Sequence, residues 1–301
     1  MSSQLENGTF VFARSRTADF YSLTKPELTF LSVLTALGGA YLATSDLTSG
    51  TLLLVHVMIG TMLVGAGAGT LNQYIERRFD GIMKRTENRP IPSGRISPSE
   101  ALLFGVTLSV SGISYLFLTT NVLTTMLGLI TLFSYLFLYT PLKRVTWLST
   151  VVGGIPGALP PVMGWTAVKD QISPEAFALF AILFFWQMPH FFSLAWMYRA
   201  DYEKAGFPML PVLDPKGTKT SVQIVGHTVC LLIASLALTL VAELGMVYFI
   251  GSSIIGCGFL VYALRLASAR NNTSARSVFF ASLAYLPLLL AVLVLDRLVS
   301  F

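Results

Sequence analysis

The chain has 301 residues, 54% of them hydrophobic and 12% charged, with a formal net charge of +5 and a mean hydropathy of +0.69. Soluble domains carry about 25% charged residues, so this composition excludes a soluble fold and predicts an all-α, polytopic membrane protein. The positive balance is spread as a topology signal, and nucleic acid is not expected as a partner.

The first 25 residues contain Glu6 and Asp19 and no apolar core with a cleavage site, so neither a signal peptide nor a transit peptide is expected there. Apolar runs long enough to cross a hydrocarbon layer of about 30 Å fall at 27–44, 50–72, 100–119, 122–140, 147–168, 175–198, 220–241, 245–266 and 277–297. They predict a bundle of nine transmembrane helices, one domain over 1–301, in a lipid bilayer. Of the 20 Lys and Arg, only Lys169 and Arg297 fall outside the N-terminal arm and the loops joining helices 2–3, 4–5, 6–7 and 8–9. The positive-inside rule then makes the N-terminus cytoplasmic and, after nine crossings, the C-terminus external. The longest loops, 73–99 and 199–219, share the cytoplasmic face, and long loops in compact proteins carry function. Cys230 and Cys257 lie in helices 7 and 8 without metal or redox spacing, and are expected to be buried small hydrophobes.

Helix 2 runs into LNQYIERRFDGIMKRTENRP. Asn72, Glu76 and Asp80 recur there every fourth residue, which on a helix puts them on one face at steps of about 6 Å. Carboxylates at a membrane boundary need a partner. Hard oxygen donors suit Mg²⁺, which takes one or two carboxylates and fills its octahedron with water and phosphate. Lys84, Arg85 and Arg89 follow with donors for phosphate oxygens. Acid and base in this order describe a diphosphate site, and a solvated, merely topogenic helix is the bland reading.

YTPLKR places Tyr139, Lys143 and Arg144 at the cytoplasmic end of helix 4, where the two cations either bind an anion or snorkel. Helix 5, TVVGGIPGALPPVMGW, has Gly and Pro enough to kink and is expected to line a cavity, close packing being the alternative. In helix 6, FFWQMPHFF holds His190, which can ligate haem iron or hydrogen-bond to another helix. After it, MYRADYEKAGFPMLPV brings Asp201 to the same face as Asp80. There it can complete a second metal position or cap a turn.

Taken together, NQYIERRFDGIMKRTENRP, YTPLKR, GGIPGALPPVMGW, WQMPH and DYEKAGFPMLPV resemble the protoheme IX farnesyltransferase (haem O synthase) family, a branch of the UbiA-type intramembrane prenyltransferases. The resemblance implies transfer of a farnesyl group from farnesyl diphosphate to a vinyl group of haem b with addition of water. It carries Asn72, Glu76 and Asp80 over as Mg²⁺ and diphosphate ligands, Glu76 standing where the superfamily has Asp. It also gives Lys143 a diphosphate contact and His190 a contact to haem, and maps Asp201 onto a second acidic motif poorer in Asp than in most relatives. A downstream haem-processing enzyme or an oxidase assembly is the implied partner. A bacterial plasma membrane is favoured over a mitochondrial inner membrane. The rivals are a prenyltransferase with another aromatic acceptor and a non-catalytic haem transporter.

Overall fold

The computed structural model describes residues 5–6, 9–10, 15–44 and 47–299. Leu5–Glu6 pairs antiparallel with Thr9–Phe10, and the other regular structure described is helical: α1 (Arg16–Leu23), α2 (Pro26–Ala43), α3 (Leu47–Asp80), α4 (Pro98–Thr119), α5 (Val122–Leu142), α6 (Ser149–Lys169), α7 (Pro174–Met197), α8 (Arg199–Lys204), α9 (Leu210–Leu213), α10 (Thr218–Val241), α11 (Met246–Ala269) and α12 (Asn272–Val299). Among the described residues nine of these helices are long and apolar enough to cross a membrane, in the number and order expected.

Helices α3 and α4, α6 and α7, and α11 and α12 pack as antiparallel neighbours. Two contacts between helices distant in the chain close the bundle, α2 on α6 and α7 on α12. In lipid, apolar surface alone gives helices no reason to associate, so small residues and polar clips have to hold them together. Helix α6 is the most buried span, and its glycines allow close approach on several sides. A Cβ at Gly164 would stand 1.8 Å from the Ala36 carbonyl oxygen of α2, and one at Gly157 would stand 1.9 Å from Gln187 Oε1 of α7. The Gly and Pro of α6 therefore act in helix packing, and the expected cavity wall is replaced by tight contact with α2 and α7. The cysteine expectation is also corrected: Cys230 is half-buried and Cys257 is exposed on the helix surface.

Polar clips secure the end of the bundle away from the long loops. The buried Asp296 carboxylate accepts from the backbone N–H of Gly245 (2.7 Å) and Tyr248 (2.9 Å), capping the donor-rich start of α11. Its neighbour Arg297 donates to the carbonyls of Leu42 (2.7 Å) and Thr44 (3.2 Å) at the end of α2. At the opposite end, the segment 81–97 folds back in successive turns. It is held by Thr86 Oγ1 donating to the Asp80 carbonyl (2.8 Å) and by an Arg95–Asp19 ion pair at 3.0 Å.

Candidate active site

Helix α3 outlasts its apolar stretch and ends on the polar face that carries Asn72, Glu76 and Asp80. All three are buried, and one oxygen of each is met by a cation from a different segment. Lys25, between α1 and α2, donates from Nζ to Asn72 Oδ1. Lys143, at the end of α5, donates to Glu76 Oε1 at 2.6 Å. Arg89, in the turns after α3, donates to Asp80 Oδ2 at 2.7 Å.

The local chain explains how these cations arrive. Pro26 disfavours the right-handed helical region at Lys25, which takes φ 49°, in the left-handed region. Opposite it stands Gly69, where a Cβ would lie 3.3 Å from Lys25 Cβ. Burial, with Arg89 adding to it, pushes the Lys25 ammonium down to about 7, although the nearby Glu76 carboxylate pulls the other way. Lys143 is also buried, but there the adjacent Glu76 carboxylate outweighs the desolvation and holds its pKa above the ordinary lysine value.

Helix α5 does not continue as a regular α-helix to Lys143. Residues Ser134–Tyr139 wind as a π-helix, immediately before Pro141, which lacks an N–H and whose ring would clash with the carbonyl four residues back in a regular helix. The widened turn turns Tyr135, Tyr139 and Thr140 toward α3. Thr140 Oγ1 accepts from Asn72 Nδ2 at 3.0 Å, and the Tyr135 hydroxyl accepts from Lys25 Nζ at 3.4 Å. Tyr139 lies under the Lys143 ammonium at 5.4 Å, in the space left by Gly153, where a Cβ would come within 2.5 Å of its ring.

The second long loop closes over the same end. Tyr202, Phe207 and Met209 form an apolar cluster with Met83, with Phe79 and Tyr198 packed against it. Phe207 meets Phe79 at 5.8 Å and lies 5.4 Å from Lys143 Nζ. Arg144 sits over the Phe79 ring at 4.2 Å. Arg85 lies over Tyr198 at 5.4 Å and donates to the Tyr202 hydroxyl at 3.4 Å. Lys84 is exposed. Asp201, half-buried on α8, has no side-chain hydrogen bond or ion pair with the described residues. No set of three His, Cys, Asp or Glu suited to a metal assembles among the described residues.

His190 sits deeper, about 10 Å before the end of α7 at 1.5 Å per residue. It is clamped against α12: Nδ1 bonds to Ser282 Oγ at 2.8 Å, and Trp186 Nε1 donates to the Ser282 carbonyl at 2.7 Å. Between them Gln187 reaches the other way, donating to the Gly154 carbonyl of α6 at 3.2 Å. The WQMPH stretch thus ties α7 to α6 and α12.

The UbiA prenyltransferase family model matches residues 32–285. The chain is 46% identical over 287 residues to the protoheme IX farnesyltransferase of Solibacter usitatus, covering 93% of this chain and 98% of that protein. It is 41% identical to the protein of the same name from Koribacter versatilis, covering 93% of each. The chain belongs to the UbiA prenyltransferase family. Its fold superimposes on that of a digeranylgeranylglyceryl phosphate synthase with a TM-score of 0.76 at 17% identity, over 93% of this chain and 98% of that one. A UbiA homologue from Archaeoglobus fulgidus, bound to GPP and Mg²⁺, gives a TM-score of 0.64 at 17% identity, over 91% of this chain and 99% of that one.

For a UbiA prenyltransferase the donor set fits a hard divalent cation. Asp80 Oδ1 is buried with no hydrogen-bond partner, an expensive arrangement unless something else binds it. Asn72 Oδ1, Glu76 Oε1 and Asp80 are all oxygen donors on one helical face. Four residues at this site were not singled out as site residues from the sequence: Lys25, Tyr135, Thr140 and Gln73. Gln73 donates from Nε2 to the carbonyls of Ser22 and Leu23, both at 3.1 Å, which pins the turn carrying Lys25. The available signal was a lone lysine before a proline, which in a chain of this charge pattern reads as topogenic.

Proposed function

We propose that this UbiA-family prenyltransferase transfers the farnesyl group of farnesyl diphosphate to a vinyl group of haem b, with addition of water, to give haem O. The acceptor follows the relatives named protoheme IX farnesyltransferase. The observation that supports the chemistry is the one-to-one pairing of Asn72, Glu76 and Asp80 with Lys25, Lys143 and Arg89. A metal-bound diphosphate brings both partners these residues call for. Its cation matches the three oxygens, and its phosphates match the three cations. When bound at Asn72, Glu76 and Asp80, Mg²⁺ would supply Lewis-acid neutralisation of the diphosphate charge.

The remaining work falls to the chain. Lys25, Lys143 and Arg89, released from their side-chain partners, donate to phosphate oxygens as the allylic C–O bond breaks and negative charge builds on the leaving group. Arg85, Arg144 and Lys84 draw the anion to the cytoplasmic mouth. The apolar cluster of Phe79, Tyr202, Phe207 and Met209 closes that mouth against water, which protects the farnesyl cation until the vinyl carbon attacks it. Water then bonds to the other vinyl carbon and gives up a proton. Asp201, outside the resting cluster, belongs to the mouth rather than to the first metal position. In this reading the mouth faces the cytoplasm, the side on which most Lys and Arg are retained, and the membrane is a bacterial plasma membrane.

In a purified preparation, diphosphate release should require farnesyl diphosphate, haem b and Mg²⁺ together. Asp80→Asn should abolish it. Normal release by that variant, or release that is full without haem b, contradicts the proposal.

A further inference from the structure

His190 has one side chain on its Nδ1, and that partner determines what its other nitrogen can do. Ser282 Oγ donates its only proton to the Phe279 carbonyl one turn earlier on α12. In that arrangement it accepts from His190 with the proton on Nδ1, whereas the opposite tautomer needs the hydroxyl to turn from the Phe279 carbonyl to Nδ1. With the proton on Nδ1 the imidazole is neutral at Nε2, with a lone pair there. Among the described residues Nε2 makes no hydrogen bond, and the residue keeps 8% of its surface exposed. The ring is also held in plane, stacked on Trp186 (5.2 Å, 20°) and on Phe279 (4.8 Å, 30°) with Phe191 edge-on at 5.3 Å.

We infer that Ser282 is a positioning residue which fixes His190 in the Nδ1–H form and so presents Nε2 to the iron of the haem substrate. The inference rests on the proposed haem-farnesylating function and goes beyond it, to one atom and the residue that governs it. A histidine that ligates a metal characteristically donates its other N–H to an oxygen, and that bond sets ring orientation and ligand basicity. Ser282 meets this requirement from a different helix. A bond made only to clip α7 to α12 needs no such polarity, because Trp186 already ties α7 to the Ser282 carbonyl. Since haem is substrate and has to leave, a neutral serine suits the purpose better than a carboxylate, which would strengthen the iron–nitrogen bond.

The test titrates haem b into the full-length protein in lipid nanodiscs, without farnesyl diphosphate, and reads affinity, the Soret band and the iron–histidine stretch of the ferrous form. His190→Ala should lose the histidine signature. Ser282→Ala should keep it with a shifted stretching frequency and an affinity lower by about tenfold, and Ser282→Thr, which keeps the hydroxyl, should restore both. A Ser282→Ala spectrum and affinity equal to the unmodified protein's, beside a His190→Ala that loses the signature, overturns the role of Ser282 alone. A histidine signature that survives His190→Ala, with haem O still made, overturns the inference and leaves the farnesyl transfer standing. Failure both to bind haem and to make haem O overturns both. Should Ser282→Ala not fold, ¹⁵N-histidine labelling of the unmodified protein decides the matter: the Nδ1–H tautomer at His190 is expected, and the Nε2–H tautomer contradicts it.

Discussion

Each acceptor at the mouth of the bundle already has a cation, so single substitutions there leave a buried partner exposed to loss. Lys25→Met strips Asn72 of its donor and removes one of three leaving-group contacts. Turnover should fall by about 10²-fold in a diphosphate-release assay, with the protein still folded. Glu76→Gln and Lys143→Met share one interaction. Their double variant should lose clearly less activity than the two single losses combined, which steady-state kinetics on the four proteins will measure. The oxygen set was legible in the sequence because helical spacing alone puts Asn72, Glu76 and Asp80 on one face. Lys25 was not, because its role depends on a left-handed turn and on the space at Gly69, and neither can be read from periodicity. Ser282 was hidden for a related reason. A serine inside an apolar helix acquires meaning only when the partner on another helix is known.

One span departs from regular α-helix, and the departure has a sequence cause that is plain only afterwards. The π-helical turn at Ser134–Tyr139 follows from Pro141, and it aims Thr140 at Asn72 and Tyr135 at Lys25. YTPLKR therefore carries geometry as well as charge. The Gly and Pro of α6 suggested a cavity, but without neighbours their packing use and their lining use look alike in sequence. That packing is testable at Gly157, where a methyl has nowhere to go. Gly157→Ala should lower stability by about 1–3 kcal/mol, seen as a lower unfolding midpoint in detergent. At the far end of the bundle, Asp296→Ala should cost about 1–3 kcal/mol by leaving buried N–H groups of α11 unpaired. Its farnesyl-transfer chemistry should change little, since the two sites lie at opposite ends.

The molecule as a whole is organised by face. Both long loops and the three-cation, three-oxygen cluster share one end, and Lys169 and Arg297 stand alone at the other. Nine spans and their order were readable from hydropathy. What hydropathy could not supply is which helices meet across the bundle, α2 with α6 and α7 with α12, since those contacts are made by small residues and by clips such as Trp186 to Ser282. The orientation has its own check. With Cys230 and Cys257 replaced by serine, a membrane-impermeant thiol reagent added outside intact cells should label Gln171→Cys and spare Lys204→Cys, and the reverse would invert the topology.

The central claim is that this site farnesylates haem. Membranes containing the protein, given farnesyl diphosphate, haem b and Mg²⁺, should yield a more hydrophobic haem with the mass of haem b plus a farnesyl group and a hydroxyl, identified by pigment chromatography with mass spectrometry. Its formation should fail with Asp80→Asn. Unchanged haem b, alongside prenylation of a different aromatic acceptor, would contradict the account.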